Sequence, residues 1–397
     1  MKKLLIMMND LKLGGIEKAV INLLKEIPHD QWEITLLLVR IAGEFLGEVP
    51  EYVIIKETAM PEDIRDEVLF ATPTIFKKCL RKGRFIRAAK VAFHSLQHKH
   101  QDMNEVMQNY FAGYDRSIAM LQEQYDVAID YQGQGSFPTY YVAHKVNAYK
   151  KLSWVHNDFS IVNQPTDWIE SLYQCYDKVV SVSQKAKEAL ILMFPQCIDK
   201  ADVCYNVLPI STIKENAQRF SVAGEEGINI VTVGRLAYQK GYDVAFKAVK
   251  KLKDKGYQIN YFVVGEGEQR EDLERLAKEL DLYKNVQFVG FESNPYPYIK
   301  MCDIYLQPSR FEGFCITLGE AKVLGKPIIT ADFAGADEQI VNEIHGLIVK
   351  CDVEQISAAL IRMLEEPGLM KRFQDNLANI SVQDEGVQKF CELIHEG

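Results

Sequence analysis

The chain has 397 residues, 47% hydrophobic and 25% charged, which suits two separately cored globular domains and gives no sign of a disordered chain. A net charge of −9 and a pI near 5.5 give no reason to expect nucleic acid as a partner. Eight cysteines, at positions 79, 175, 197, 204, 302, 315, 351 and 391, form no Cys-x-x-Cys and no metal-ligand spacing with histidine. They read as reduced cytosolic thiols, and no apolar run approaches the ~20 residues of a membrane-spanning helix.

Residues 4–8 read as a first strand: the apolar run is too short for a signal peptide and meets Asn9-Asp10 instead of a cleavage site. Gly14-Gly15-Ile16-Glu17 then opens a helix to about Glu26, with Ile16, Val20, Leu23 and Leu24 on its buried stripe. The glycine pair lets the backbone approach a ligand, or is simply a turn before a helix cap. Strands follow at 33–39 and 53–55. From 71 to 101 there are eight Lys or Arg and no Asp or Glu, with apolar residues at helical spacing. This basic amphipathic stretch, residues 75–99, has two readings, a solvated charged face packed on the N-terminal sheet or a dock for an anionic membrane surface. The strand at 127–130 runs into Tyr131-Gln132-Gly-Gln134-Gly-Ser-Phe-Pro. Aromatic faces and amides suit sugars, so Tyr131, Gln132 and Gln134 are acceptor-site candidates, with an ordinary loop as the alternative. The strand at 151–155 ends in Trp154-Val-His156, and a lone histidine there is either a hydrogen-bonded structural residue or a site residue. Strands at 178–182 and 201–205, with a helix at 184–192 between them, complete this half.

Residues 211–227 are polar, contain Gly224 and Gly227, and read as an interdomain linker. The strand at 228–233 leads into Gly234-Arg235-Leu-Ala-Tyr-Gln-Lys240-Gly241 and a helix from Tyr242. An Arg fork and a Lys point charge above strand ends make a clamp for a diphosphate. The strand at 259–264 is followed by Gly265-Glu-Gly267-Glu-Gln-Arg270, which is not a dinucleotide fingerprint because Arg270 stands where the third glycine belongs. A strand at 286–289 ends at Gly290-Phe291, and a helix spans 296–301. The strand at 302–307 stops at Pro308; Gly313 allows a tight path, and residues 314–324 have helical composition. Such a loop aims backbone N–H groups and a helix dipole at an anion. Glu312 and Glu320 lie eight positions apart in it. Two carboxylates beside an anion site make sense if they accept hydrogen bonds from hydroxyls, which describes a sugar at one end of a diphosphate and a ribose at the other. The alternative is a helix-opening Glu and a solvent-facing Glu. Strands at 328–330 and 347–349 and a helix at 353–364 follow. The alternation implies parallel sheets in an α/β fold with two doubly wound, Rossmann-like domains facing a cleft.

The strings Pro308-Ser-Arg-Phe-Glu-Gly-Phe, Leu318-Gly-Glu-Ala321 and Val233-Gly-Arg-Leu with Lys240-Gly241 resemble glycosyltransferase family 4, retaining enzymes of the GT-B fold. The resemblance implies that Glu312 holds donor-sugar hydroxyls and Glu320 the ribose. It implies that Arg235, Lys240 and backbone groups of Gly313, Phe314, Thr317 and Leu318 stabilise the leaving diphosphate. Gly15, in the "GGxE" loop, would lie near the donor phosphates, Gly265 beside the nucleotide, and Gly290 and Phe291 at the nucleobase. His156, in "W-x-H", would reach the donor sugar. The family often has an acidic or polar residue where Gly319 precedes Glu320. Because the family is metal-independent and no Asp-x-Asp occurs, neither a metal nor another cofactor is expected beyond the nucleotide-sugar co-substrate.

The expected organisation is an acceptor-binding domain over 1–207, a linker over 208–227, and a nucleotide-sugar-binding domain over 228–376. By resemblance alone, 377–397 is a helix returning to the first domain. The expected function is retaining transfer of a sugar from a UDP- or GDP-linked donor to a hydroxyl acceptor, a lipid-linked or saccharide intermediate of cell-surface polysaccharide synthesis. The location would be cytoplasmic, peripheral to the membrane where the basic stretch docks. The competing readings are a nucleotide-sugar epimerase or hydrolase of related fold and a catalytically silent nucleotide-sugar-binding subunit.

Overall fold

A computed structural model describes residues 1–69, 79–81, 111, 113, 115–156, 166–379 and 385–395. The basic stretch, and with it the membrane reading of residues 75–99, lies outside the described residues except at 79–81. The chain forms two compact units: residues 1–182, 186–204 and 389–397, and residues 183–185 and 205–388.

The first unit is built on a parallel seven-stranded sheet of β1 (Lys2–Met8), β2 (Trp32–Leu38), β3 (Ile54–Glu57), β4 (Gln124–Asp130), β5 (Asn147–Val155), β6 (Lys178–Ser181) and β7 (Ala201–Val203). Its order is β3-β2-β1-β4-β5-β6-β7. Leu4 to Met8 are 0% exposed, as expected of a central strand buried on both faces, which is why this strand reads as an unbroken apolar run. The strand order reverses between β1 and β4, so the loops leaving their carboxyl ends diverge and open a crevice there. From Lys389 onward the helix Glu385–His395 packs in this unit: Phe390 and Leu393 are buried, the Phe390 ring lies 5.7 Å from Trp154, and Lys389 pairs with Asp202 at 3.2 Å.

The second unit has six parallel strands, β8 (Ile228–Val233), β9 (Ile259–Val264), β10 (Val286–Gly290), β11 (Ile304–Gln307), β12 (Ile328–Ala331) and β13 (Gly346–Val349), in the order β10-β9-β8-β11-β12-β13. Its switch point lies between β8 and β11, and the loops after these two strands carry Arg235, Lys240, Glu312 and Gly313. Two of the expected boundaries shift. The polar stretch 208–227 contains a helix, Ile210–Asn216, whose Ile213, with the following Ala217, is buried in this unit's core, so the polar composition marks a solvated face and not a free linker. The helix Leu369–Ala378 spans the boundary expected at 376/377, because Leu369, Phe373 and Leu377 anchor it in the same unit.

Three strand ends meet at glycine. Gly265 has φ +147° and its N–H donates to Gly290 O at 2.8 Å, while a Cβ on Gly265 would sit 2.1 Å from the Gly234 carbonyl oxygen. Gly265→Ala is therefore expected to cost about 2–3 kcal/mol through backbone strain and steric overlap. The thermal midpoint of the second unit should fall by roughly 5–10 °C; an unchanged midpoint would contradict this packing.

Candidate functional site

In the second unit, the loop after β8 and the loop after β11 are joined by charge. Lys240 Nζ donates to Glu312 Oε1 at 2.6 Å, with only 15% and 9% of the two side chains exposed. Burial by itself would lower the Lys240 pKa, but the adjacent Glu312 charge outweighs it and holds the ammonium above its usual range. The Ser309 hydroxyl donates to the same Glu312 oxygen at 2.7 Å, and Gln239 Nε2 reaches Glu312 Oε2 at 3.3 Å and the Phe311 carbonyl at 2.9 Å. Arg310 adds an outer clamp: its guanidinium donates twice to Asp243 at 2.8 Å and stacks on the Tyr238 ring at 4.0 Å. Arg235 is exposed and forms no ion pair among the described residues. Neither Gln239, Ser309 nor the Arg310–Asp243 pair stood out in the sequence, since each acts through a partner distant or buried in the fold.

Past Glu312 the chain turns into the helix Ile316–Val323. Among the described residues, the backbone N–H groups from Gly313 to Thr317 have no acceptor, so the loop and the helix start present a row of unspent donors. Leu318 does not belong to that row: its N–H donates to Cys315 O at 3.2 Å and its side chain is buried in the core. Glu320 is 2% exposed and accepts a hydrogen bond from Tyr296 OH at 3.1 Å. A Cβ at Gly319 would lie 2.6 Å from Leu208 Cδ1, so a larger residue there would require the Leu208 side chain to shift. Phe314 packs by its ring 5.6 Å from Tyr205, and Phe291, just beyond Gly290, is 42% exposed.

In the first unit the organising group is one that sequence reasoning did not single out, Asp130 at the end of β4. It is fully buried and accepts from Gly133 N at 2.9 Å, Gln132 N at 3.1 Å and Ser153 Oγ at 2.8 Å. Burial pushes its pKa up to about 6, opposed by these donors and by Thr139. An aspartate closing an apolar strand before a Gly-rich loop was the available signal. The loop it holds passes through Gly133, Gln134 and Gly135, all at positive φ, and a Cβ on Gly133 would fall 1.7 Å from Trp154 O. Tyr131 is 2% exposed, its ring against Trp154 and His156, so its side chain is core and not an acceptor contact. Gln132 is half-buried, with Oε1 lacking a partner among the described residues. His156 Nε2 lies 2.9 Å from the Tyr131 carbonyl, which can only accept. Burial pushes His156 down to about 4, against that carbonyl, so the ring is neutral near pH 7, with the proton on Nε2 and an accepting lone pair on Nδ1. Gly15 opens the helix Gly15–Glu26 with nothing within 4 Å of an added Cβ, so packing does not demand glycine there.

Residues 213–379 match the family described as glycosyl transferases group 1. A curated relative, the N-acetylgalactosamine-N,N'-diacetylbacillosaminyl-diphospho-undecaprenol 4-alpha-N-acetylgalactosaminyltransferase of Campylobacter jejuni, is 30% identical over 56% of this chain and 60% of its own length. The O-antigen biosynthesis glycosyltransferase WclY of Escherichia coli is 28% identical over 41% of this chain and 45% of its own length. The chain thus spans less than two thirds of these relatives. A crystal structure of Anabaena Alr3699/HepE in complex with UDP and glucose superposes with a TM-score of 0.70 at 17% identity, covering 100% of both chains. The two parallel-sheet units are those of a GT-B fold.

The buried Asp130 has a pH signature. Its folded-state pKa of about 6 lies above the ordinary 3.8, so the folded state holds the proton more tightly, and stability falls as pH rises through this window. Asp130→Asn keeps the shape without the charge. Between pH 4 and pH 7 the variant should gain about 2 kcal/mol on the wild type in denaturant titrations; a difference independent of pH would contradict the assignment.

Proposed function

We propose that this chain, a GT-B protein whose residues 213–379 form a group 1 glycosyl transferase domain, transfers a sugar from a nucleotide-diphosphate sugar to a hydroxyl acceptor. The observation that carries the reading is the Lys240–Glu312 pair set beside the unspent N–H row of residues 313–317, with Arg235 exposed in the neighbouring loop. Breaking the glycosidic bond places negative charge on the departing diphosphate and oxocarbenium-like charge on the sugar. Arg235, Lys240 and the N–H row stabilise the first, and the Glu312 carboxylate accepts from sugar hydroxyls and fixes the ring. Glu320, steadied by Tyr296, takes the ribose, and the exposed Phe291 takes the base. His156 has a catalytic part as a neutral imidazole whose Nδ1 accepts a hydrogen bond from a donor-sugar hydroxyl.

Retention follows in this reading from front-face attack with the donor phosphate as base. Glu312 is tied at Oε1 by both Lys240 and Ser309, which suits an orienting carboxylate better than a nucleophile. With the positive charge supplied by side chains and backbone, no divalent cation is required. UDP is the first nucleotide to try, ahead of GDP, because the Anabaena structure contains UDP and glucose. The names of the Campylobacter and Escherichia relatives support a lipid-linked or saccharide acceptor in cell-surface polysaccharide synthesis. We further propose peripheral association with the inner face of the membrane through residues 75–99, on the charge count alone.

The test is product analysis with UDP- and GDP-sugars and polyprenyl-diphosphate-linked acceptors, reading the anomeric configuration by NMR, with and without EDTA. Transfer with retention, unaffected by EDTA and lowered about 100-fold or more in Glu312→Gln, is the expected result. An inverted product would remove the proposed mechanism. Epimerised or hydrolysed donor, or binding without turnover, would remove the proposed activity.

A further inference from the structure

We infer that Gln307, a residue at the end of β11 facing away from solvent, is a positioning residue that aims Glu312 through Ser309; the inference rests on the glycosyltransferase reading of Glu312. The argument is an inventory of protons. Glu312, salt-bridged to Lys240 at 2.6 Å, is a carboxylate and has no proton to give. Ser309 has one, and with its Oγ 2.7 Å from Glu312 Oε1 that proton is spent there. Ser309 Oγ must then accept from the Gln307 side chain 2.8 Å away, which requires the amide NH2 to face it. The Gln307 carbonyl oxygen therefore points the other way, where it accepts from Tyr305 OH at 2.9 Å and Thr317 Oγ1 at 3.3 Å. With the Thr317 proton committed inward, the Cys315 thiol 3.3 Å away is left as a donor to the Thr317 oxygen. The links from Gln307 through Ser309 to Glu312 have one orientation, because a reversed amide would set its carbonyl oxygen against a Ser309 oxygen whose proton is already spent on Glu312.

The consequences fall on the site. Gln307 and Ser309 are 0% exposed and Glu312 8%, so the relay is shielded from water that would otherwise substitute for a lost link. Glu312 Oε1 carries two close donors, while among the described residues Oε2 has only Gln239 Nε2 at 3.3 Å. Oε2 is accordingly the atom left with capacity for a ligand hydroxyl, and the relay fixes which way it faces. Thr317, expected among the donor-binding residues, turns its hydroxyl toward the Gln307 carbonyl oxygen at 3.3 Å.

The experiment is a double-mutant cycle of Gln307→Met, Ser309→Ala and their combination, with Ser309→Thr as the conservative variant. kcat and KM for the nucleotide-sugar are measured on folded protein, and thermal unfolding is followed on the same samples. Each single change should lower kcat about 10-fold or more, the scale of a lost hydrogen bond to a charged group, with KM within about threefold. The double variant should be no slower than the slower single by more than about threefold, and Ser309→Thr should keep most of the activity. The unfolding midpoints should be non-additive in the same sense, a readout that needs no substrate. Wild-type kcat in Gln307→Met, or effects that multiply, would overturn the relay. Non-additive unfolding in a protein that transfers no sugar would instead overturn the enzymatic reading on which the positioning role rests.

Discussion

The buried ion pair between Lys240 and Glu312 is the constraint on which the candidate site depends, because it ties together loops that leave two different strands at the sheet's switch point. Removing two charges from water is costly, and the cost is offset only where geometry and further hydrogen bonds are good. Here Ser309 and Gln239 supply those bonds, and the Arg310–Asp243 fork over Tyr238 braces the same two loops from the outside. Loss of either charge would leave the other buried and unpaired, so the shape of the loop and the chemistry of the site are one problem. The N–H row beyond Glu312 follows from that shape, since the turn through Gly313 leaves no carbonyl to receive it.

The first unit solves a related problem with a different carboxylate. Among the described residues Asp130 pairs with no cation and gathers backbone N–H groups and the Ser153 hydroxyl instead, so burial raises its pKa, whereas Glu312 is paired with Lys240. The loop that Asp130 shapes presents the Tyr131 carbonyl to His156, and that one contact selects the imidazole tautomer. In each unit the candidate residue is held by a neighbour outside the proposed chemistry, Ser309 for Glu312 and the Tyr131 carbonyl for His156. Variation at these supporting positions should therefore change function as strongly as variation at the residues they hold.

Much of this was legible in the sequence. The strands were readable because β-branched and apolar runs bounded by glycine and proline have few other ways to bury themselves, and the two loops of the second unit stood out by composition. The helix Phe137–Lys145 was hidden because it is buried almost all round and carries Pro138 in its first turn, so it has no polar face to set a period. Tyr131 was read as ligand-facing because an aromatic face suits a sugar and only packing shows direction, and Leu318 was counted in the N–H row because only the folded helix start shows where the unspent donors end. Arg310 with Asp243, and Glu312 with Lys240, are pairs separated by 67 and 72 positions, and nothing local announces such partnerships. Gln307 lay in plain view as a polar residue ending an apolar strand, but its role depends on four side chains that only the fold assembles.

The most direct test of the central claim, that the loops after β8 and β11 form a nucleoside-diphosphate site, is calorimetric titration with UDP, GDP and ADP in metal-free buffer, using wild type and Arg235→Ala. Saturable binding of one nucleotide by the wild type, weakened about tenfold or more in the variant, is the predicted result. No binding of any of the three, or equal binding by both proteins, would contradict the account.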